Sequence, residues 1–555
     1  MMKKSILEIT LAFALCSVPC VALAAPSPAA IDPGVQLRQM QEQIERERIE
    51  RQMQEQRDKQ KEGIEDQQQK PSGQKGAVRF VLHSVETDES LILPPEKRNE
   101  IVSPYIGKEV TLDNLYEIVE KINSFYKENG WITCCAYLPP QTIHAGQVRI
   151  ALIEGKTGDV TVTGNRHTRA SYLKGRLGIR PGSIENTQSL DRRIQRATAT
   201  DDLSLYVTLK AGKEPKTTDY EIVVAEPKNQ GFMLYADGAG NESTGRWREG
   251  VFYSNRSLFK IRDHFNLGYL RSKGMDSFSA GYSVPLGHNG TRFALDYSTN
   301  STEVVKGIYY NQGIPVEGRA SSVTATLTQP LHVSAKSKVE ALVSANYQHS
   351  RTDIAGARLI DDSFKDVTAG VAVTNYGNKW ALYQKHAFTF GNWNNDAITT
   401  NVAGTSAHYT IYNFTGLYQY AGKAGQLFNF RSNVQWSGST GLRPSRQFFL
   451  GGVYSVRGYE ENVIGGNSGF SVSAEYAVPV TKDRSVSLYE FVDYGSLFGE
   501  EKPRYHTLLG VGAGIRARYK KYAYIDIAVG FPLKRKLDGD RAGRTRLHLS
   551  ANVTF

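Results

Sequence analysis

The chain has 555 residues, too many for one ordinary hydrophobic core, so several structural units are expected. It is 40% hydrophobic and 22% charged, with 51 Gly and 30 Tyr, and no run of about 18 apolar residues follows the amino terminus, which excludes a transmembrane helix in the mature chain. The net charge of +11 comes from Lys and Arg scattered along the chain without a basic arm or recognition motif, so no nucleic-acid partner is expected.

Residues 1–24 read as an export signal: Lys3 and Lys4 precede an apolar run from Ile9 to Leu23 that ends in the small-x-small site Ala22-Leu23-Ala24. Cys16 and Cys20 fall inside it, without the small residues of a lipoprotein cleavage site before them. The mature chain keeps Cys134 and Cys135, whose side chains point to opposite faces of a strand. One buried and one exposed thiol is the expectation, not a disulfide.

Residues 32–57 predict a helix, with Asp32-Pro33 as N-cap and first helical position and Glu42–Arg46, Glu47–Arg51 and Glu55–Lys59 as i, i+4 charge pairs. Its apolar residues, Leu37, Met40, Ile44, Ile49 and Met53, form a thin, drifting stripe, too little to anchor it in a core and too broken for a coiled coil. A solvated helix is the plain alternative to a helix with a polar surrounding of its own. Residues 58–76 are polar, carry Pro71 and Gly73, and read as a linker.

Residues 77–155 predict a β-α-α-β-β module: a strand in "VRFVLHSV", a short helix ending at Gly107, a second helix on Leu112, Leu115, Val119, Ile122 and Tyr126 stopped by Gly130, then strands "WITCCAYL" and "QVRIALIEG". Residues 156–228 repeat the order, with Asn186 as a helix cap. A hairpin beside helices leaves an exposed strand edge, which can accept an extended peptide.

From 229 to 555 apolar and polar residues alternate strictly, as in Phe293-Leu295-Tyr297 and in the last strand, where Leu547, Leu549, Ala551, Val553 and Phe555 share a face. Frequent aromatics and an exported chain favour an outer-membrane β-barrel with apolar residues toward lipid, and at about 20 residues per strand and connection its length allows about 16 antiparallel strands. Prolines in "YSVPLG", "YAVPV" and "GFPL" are expected at turns on one rim, because proline cannot donate to the ladder. Gly307–Ala320 and Asn392–Gly404 are expected as external loops.

No catalytic constellation, metal cluster or cofactor motif is present in the sequence, so an enzyme is not expected. What remains is Arg457, in "GGVYSVRGYE". A loop arginine is ordinarily solvated. Yet in "SVSLYEFVDYGSLFG" Val486, Leu488, Val492 and Tyr494 share the apolar face, which turns Asp493, with Tyr489 and Phe491, toward the lumen. A lumen carboxylate can hold a loop arginine in a bidentate pair, and such a pair fixes a conformation more than it adds stability.

The two β-α-α-β-β modules, the barrel ending in Phe555, the loop tetrad Val456-Arg457-Gly458-Tyr459 and the Phe491-Val492-Asp493 strand together resemble the TpsB transporters of two-partner secretion, of the POTRA-barrel superfamily. "YKENGWITCCAYLPPQTIHAGQVRIALIEGK" is similar to that family's first-module signature. The resemblance implies a 16-stranded barrel, periplasmic POTRA modules at 77–155 and 156–228, and a plug helix at 32–57 inside the pore. It also implies a lumen latch between Arg457 and Asp493 and a terminal assembly signal at Phe555. The implied partners are a large exported protein (an adhesin, a haemolysin or a contact-dependent toxin), outer-membrane lipid, and the barrel-assembly machinery during biogenesis. A barrel-assembly insertase of the same superfamily is the alternative, and a passive porin has no use for paired modules.

Overall fold

The computed structural model describes residues 31–59, 79–395, 407–500, 502–520, 522–538 and 540–555. The export signal and most of the linker lie outside the described residues. Helix α1 runs Pro33–Lys59, and Asp32 caps it by accepting from the Gly34 amide at 2.8 Å.

The first module contains β1 (Arg79–Val81), β2 (Ser84–Thr87), α2 (Pro95–Val102), β3 (Glu109–Thr111), α3 (Leu112–Glu128), β4 (Cys134–Tyr137) and β5 (Gln147–Glu154). The single strand expected over "VRFVLHSV" is two: β1 pairs antiparallel with β3, and β2 parallel with β5. The break falls at Leu82-His83, where Leu82 turns into the core and the His83 amide bonds the Gly146 carbonyl. A capping box of Thr111 and Asn114 starts α3, whose buried Leu115, Ile118, Val119, Ile122 and Tyr126 fill the core. Cys134 is buried and Cys135 exposed, both as free thiols.

The second module contains β6 (Lys156–Thr163), α4 (Ala170–Leu177), α5 (Thr187–Thr200), β7 (Ser204–Ala211) and β8 (Thr217–Ala225), with sheet order β6-β8-β7. Asn186 caps α5 through the Ser189 amide at 3.0 Å. Arg176 of α4 binds Asp201 at 2.6 Å, and Arg262, from the first module-side turn of the barrel, donates to the carbonyls of Asp201 and Asp202 at 2.8 and 2.7 Å. This buried joint fastens the second module to the barrel rim.

Sixteen antiparallel strands then close on themselves. In chain order they are β9 (Gln230–Asp237), β10 (Arg248–Asn255), β11 (His264–Ser272), β12 (Met275–Leu286), β13 (Thr291–Glu303), β14 (Val316–Val333), β15 (Ser337–Ile354), β16 (Ala357–Tyr376), β17 (Trp380–Asn395), β18 (His408–Ala421) and β19 (Leu427–Ser437). A long loop follows, with its own ladder of β20 (Phe448–Leu450) and β21 (Ile464–Gly466). Then come β22 (Ser468–Pro479), β23 (Val486–Phe498), β24 (Thr507–Tyr519) and β25 (Ala523–Pro532). A short hairpin, β26 (Lys536–Leu537) with β27 (Asp540–Arg541), precedes the closing strand β28 (Arg546–Thr554), which pairs with β9. The alternation sets the faces: on β23, Leu488 and Val492 are about half exposed outward, whereas Tyr489, Phe491 and Asp493 are buried inward.

Two rim assignments differ from expectation. Pro285 and Pro479 end strands at the module-side rim, but Pro532 ends β25 at the far rim, because β25 runs the other way; proline marks a strand end and not a particular rim. The far-rim loop expected over Gly307–Ala320 is shorter, since β14 already begins at Val316; of Asn392–Gly404, β17 takes the residues up to Asn395 and the rest lie outside the described residues.

Candidate functional site

The lumen is occupied by helix α1 and by the loop of residues 438–467. At about 1.5 Å per residue the 27 residues of α1 span about 40 Å, more than the roughly 30 Å hydrocarbon layer that a barrel crosses. Its amino end lies toward the far rim, where Thr352 donates to the Ile31 carbonyl at 3.0 Å and Asn300 to the Pro33 carbonyl at 3.1 Å. Its other end lies toward the modules, where Met53 clusters with Ala372, Ala381 and Tyr383.

The apolar stripe anchors this helix after all. Leu37, Met40, Ile49 and Met53 are buried, and only Ile44 is exposed, at 42%. Leu37 and Met40 cluster with Tyr235, Leu270, Met275 and Ala320, whereas Ile49 and Met53 cluster with residues of β16, β17 and β18. At about 100° per residue the two pairs stand about 170° apart around the helix. The stripe drifts because the helix leans on two separate sectors of the wall.

Several charged side chains of α1 pair outward, and one pair, Arg38 with Glu42, runs along the helix. Glu45 takes Lys385 at 2.6 Å, Glu50 takes Arg431 at 3.0 Å, and Arg46 donates to the Tyr454 carbonyl at 2.8 Å instead of pairing with Glu42, which instead lies 3.3 Å from Arg38. Arg46 turns to the loop, where its guanidinium also lies 5.2 Å from the Tyr454 ring centroid. The other two expected pairs involve side chains outside the described residues.

The loop tetrad lies deep in the barrel. Val456 and Tyr459 are buried in an apolar cluster with Leu450, Leu497 and Leu508, and the Tyr459 hydroxyl donates to the Lys534 carbonyl at 2.8 Å. Gly458 has φ +96°, and a Cβ there would stand 3.0 Å from Phe531 and Pro532 backbone atoms. Only glycine suits that turn. Opposite it the wall strand β24 carries Gly510, where a Cβ would collide with the Arg457 carbonyl.

Arg457 meets Asp493 edge to edge: Nε to Oδ2 at 2.7 Å and Nη2 to Oδ1 at 2.9 Å, with the Arg457 amide adding a third bond to Oδ2 at 3.0 Å. The guanidinium carbon lies 3.5 Å from the Phe491 ring centroid. Three residues of this site were missed from sequence. Glu475 accepts from Arg457 Nη1 at 3.0 Å and from Arg516 Nη1 at 2.9 Å, and Arg516 reaches Asp526 at 2.7 Å. Carboxylates and arginines thus alternate along one chain of ion pairs, Asp493–Arg457–Glu475–Arg516–Asp526, in which the loop supplies Arg457 and strands β22 to β25 the rest. A signal existed, since each of the three is a charged residue at an inward position of an alternating strand.

Phe555 is not part of this site. It lies exposed at the seam, its amide bonded to the Phe232 carbonyl at 2.8 Å and its ring 6.4 Å from that of Phe232.

This lumen can be compared with known proteins. Residues 217–517 match the model of the haemolysin secretion/activation protein family ShlB/FhaC/HecB, and residues 80–155 match a POTRA domain of ShlB type. The chain belongs to the ShlB/FhaC/HecB family. It is therefore an outer-membrane transporter of two-partner secretion, with the POTRA module on the periplasmic side. Among curated relatives of this family member, the heme/hemopexin transporter protein HuxB of Haemophilus influenzae is 25% identical over 478 residues, covering 82% of this chain and 83% of the relative. The outer membrane transporter CdiB of Dickeya dadantii is 20% identical over 480 residues, covering 82% and 83%. Among solved structures, CdiB from Escherichia coli aligns with a TM-score of 0.70 at 17% identity, covering 96% of this chain and all of that one. BamA from Haemophilus ducreyi aligns at 0.52 and 13% identity, covering 86% of this chain and all of that one. At these identities the structures speak to fold alone, and it is the family model that separates a secretion transporter from a barrel-assembly insertase.

Proposed function

We propose that this family member exports one large, extended partner through the lumen, with residues 32–57 as a displaceable plug and Arg457–Asp493 as the latch of the tetrad loop. The observation that carries the reading is the helix lying along the lumen, held by side-chain contacts with the wall and the loop rather than by a continuous core. Such contacts can be exchanged for water one by one, so the plug can leave without unfolding the barrel. The second β-α-α-β-β unit, 156–228, is read as a second POTRA module, and its edge β7 is a surface where an extended partner can add a strand, whereas on the edge β4 the Asn123 side chain already takes the Ala136 amide and carbonyl. The outward aromatic and aliphatic residues meet outer-membrane lipid, and the barrel-assembly machinery inserts the barrel. An adhesin, a haemolysin or a contact-dependent toxin is the class of cargo.

The test is single-channel conductance of the full-length protein against a deletion of residues 32–57. The deletion is expected to give a wider, steadier pore; an unchanged conductance overturns the plug reading.

A further inference from the structure

The tetrad loop is fastened to the wall at a second place, away from Arg457. In the turn Arg443–Gln447, Arg443 binds Asp362 of β16 through Nε at 2.7 Å and Nη2 at 3.1 Å. Arg446 binds Asp366 of the same strand at 2.6 Å, reaches Gln348 at 2.8 Å and the Tyr409 hydroxyl at 3.1 Å, and lies 4.2 Å over the Phe364 ring. Asp362 and Asp366 are four residues apart on one strand and face the same way. They sit five strands around the barrel from Asp493. Between the two arginines is Ser445, fully buried.

The amino end of α1 rests on this turn. The buried Asp32 carboxylate accepts from the Ser445 hydroxyl at 2.8 Å through Oδ2, and from the Ser350 hydroxyl of β15 at 2.8 Å through Oδ1. Arg38 donates to the carbonyls of Ser445, at 3.1 Å, and Gln447. Gly34 passes so close that an added Cβ would collide with the Ser445 hydroxyl and the Gln348 amide.

We propose that the Arg443–Gln447 turn, pinned to β16 by its two arginines, is the seat that retains the plug, and that Asp32 is the plug side chain it holds. The inference rests on the plug reading above. The arginines bind the wall and leave the Ser445 hydroxyl and the Gln447 carbonyl for the plug, with the Ser445 carbonyl shared between Arg38 and Arg446, so the plug can detach while the turn stays in place. Asp32 and Gly34 are then positioning residues for closure.

The experiment is single-channel recording of the full-length protein reconstituted in planar bilayers, with Gly34→Ala, Asp32→Ala and the 32–57 deletion side by side. Gly34→Ala keeps the Asp32 carboxylate and raises helix propensity, while its methyl crowds the Ser445 hydroxyl, the Gln348 amide and, at 3.0 Å, the capping carboxylate of Asp32, so it loosens the seat with the helix intact. Each point variant is expected to raise the frequency of wide openings at least about tenfold, the factor for one charge-assisted contact, since Asp32→Ala removes the bonds from Ser445, Ser350 and the Gly34 amide together, and to reach but not exceed the conductance of the deletion. Wide openings from the deletion together with wild-type behaviour of both point variants overturn the seat alone; a deletion that leaves conductance unchanged overturns the plug reading itself. A second test uses Asp32→Cys with Ser445→Cys in cells. Secretion is expected to stop on oxidation and return on reduction, and full secretion by the oxidised pair overturns the proposal.

Discussion

Arg457→Ala is the most informative perturbation of the lumen. It strips Asp493 of two donors, at 2.7 and 2.9 Å, and leaves only the backbone amide at 3.0 Å, while Glu475 loses one arginine but keeps Arg516 at 2.9 Å. A buried carboxylate left without its cation costs about 3–5 kcal/mol, a change of roughly two to four powers of ten in the docked population of the loop. Asp493→Ala is expected to be milder, because Arg457 keeps Glu475 at 3.0 Å and the Ser473 hydroxyl at 3.1 Å. The assay is partner secretion into the medium, with heat-modifiable mobility reporting barrel assembly and limited proteolysis reporting loop position. Both variants should assemble, expose the loop and secrete poorly, and the double variant should be little worse than Arg457→Ala. Simple additivity of the two effects refutes the pair as an energetic unit and leaves the tetrad to act through its turn and its apolar side chains.

Three further outcomes follow from local geometry. Gly458→Ala forces a side chain into φ +96° against Phe531 and Pro532, so protease sensitivity of the loop should rise as it does in Arg457→Ala, by a strain of about 1–3 kcal/mol. Asn186→Ala removes the α5 cap and should lower the stability of the second module by about 1 kcal/mol in denaturant melts, without changing conductance. For the two thiols, burial pushes Cys134 up to about 11, so alkylation at pH 8 should label Cys135 and spare Cys134. The same shift means that the unfolded module releases this proton first, so module stability should fall as pH rises from about 9 toward 11; a flat profile there counts against a buried Cys134.

Most of the candidate site was readable one residue at a time but not as an arrangement. Asp493 could be turned inward from the alternation of its strand, and Arg457 stood out as a loop cation without a local partner. Glu475, Arg516 and Asp526 carried the same inward signal, yet nothing local says that the register of β22, β23, β24 and β25 brings them within side-chain reach of one another. The seat turn was less legible still, since Arg443 and Arg446 look like any solvated loop arginines until β16 is set opposite them.

The sequence by itself determined what has a short period. Strand alternation, the capping of α1 by Asp32 and of α5 by Asn186 and the repeated module order follow from interactions within a few residues, which the chain carries wherever it is placed, and the number of barrel strands from chain length at about 20 residues per strand and connection. Tertiary structure alone decided where the charges of α1 go, why its apolar stripe drifts, and which rim a strand-ending proline marks. Each of these depends on register and on the direction of a strand across a closed sheet, where residues hundreds of positions apart, such as Asp32 and Ser445, become hydrogen-bonding neighbours.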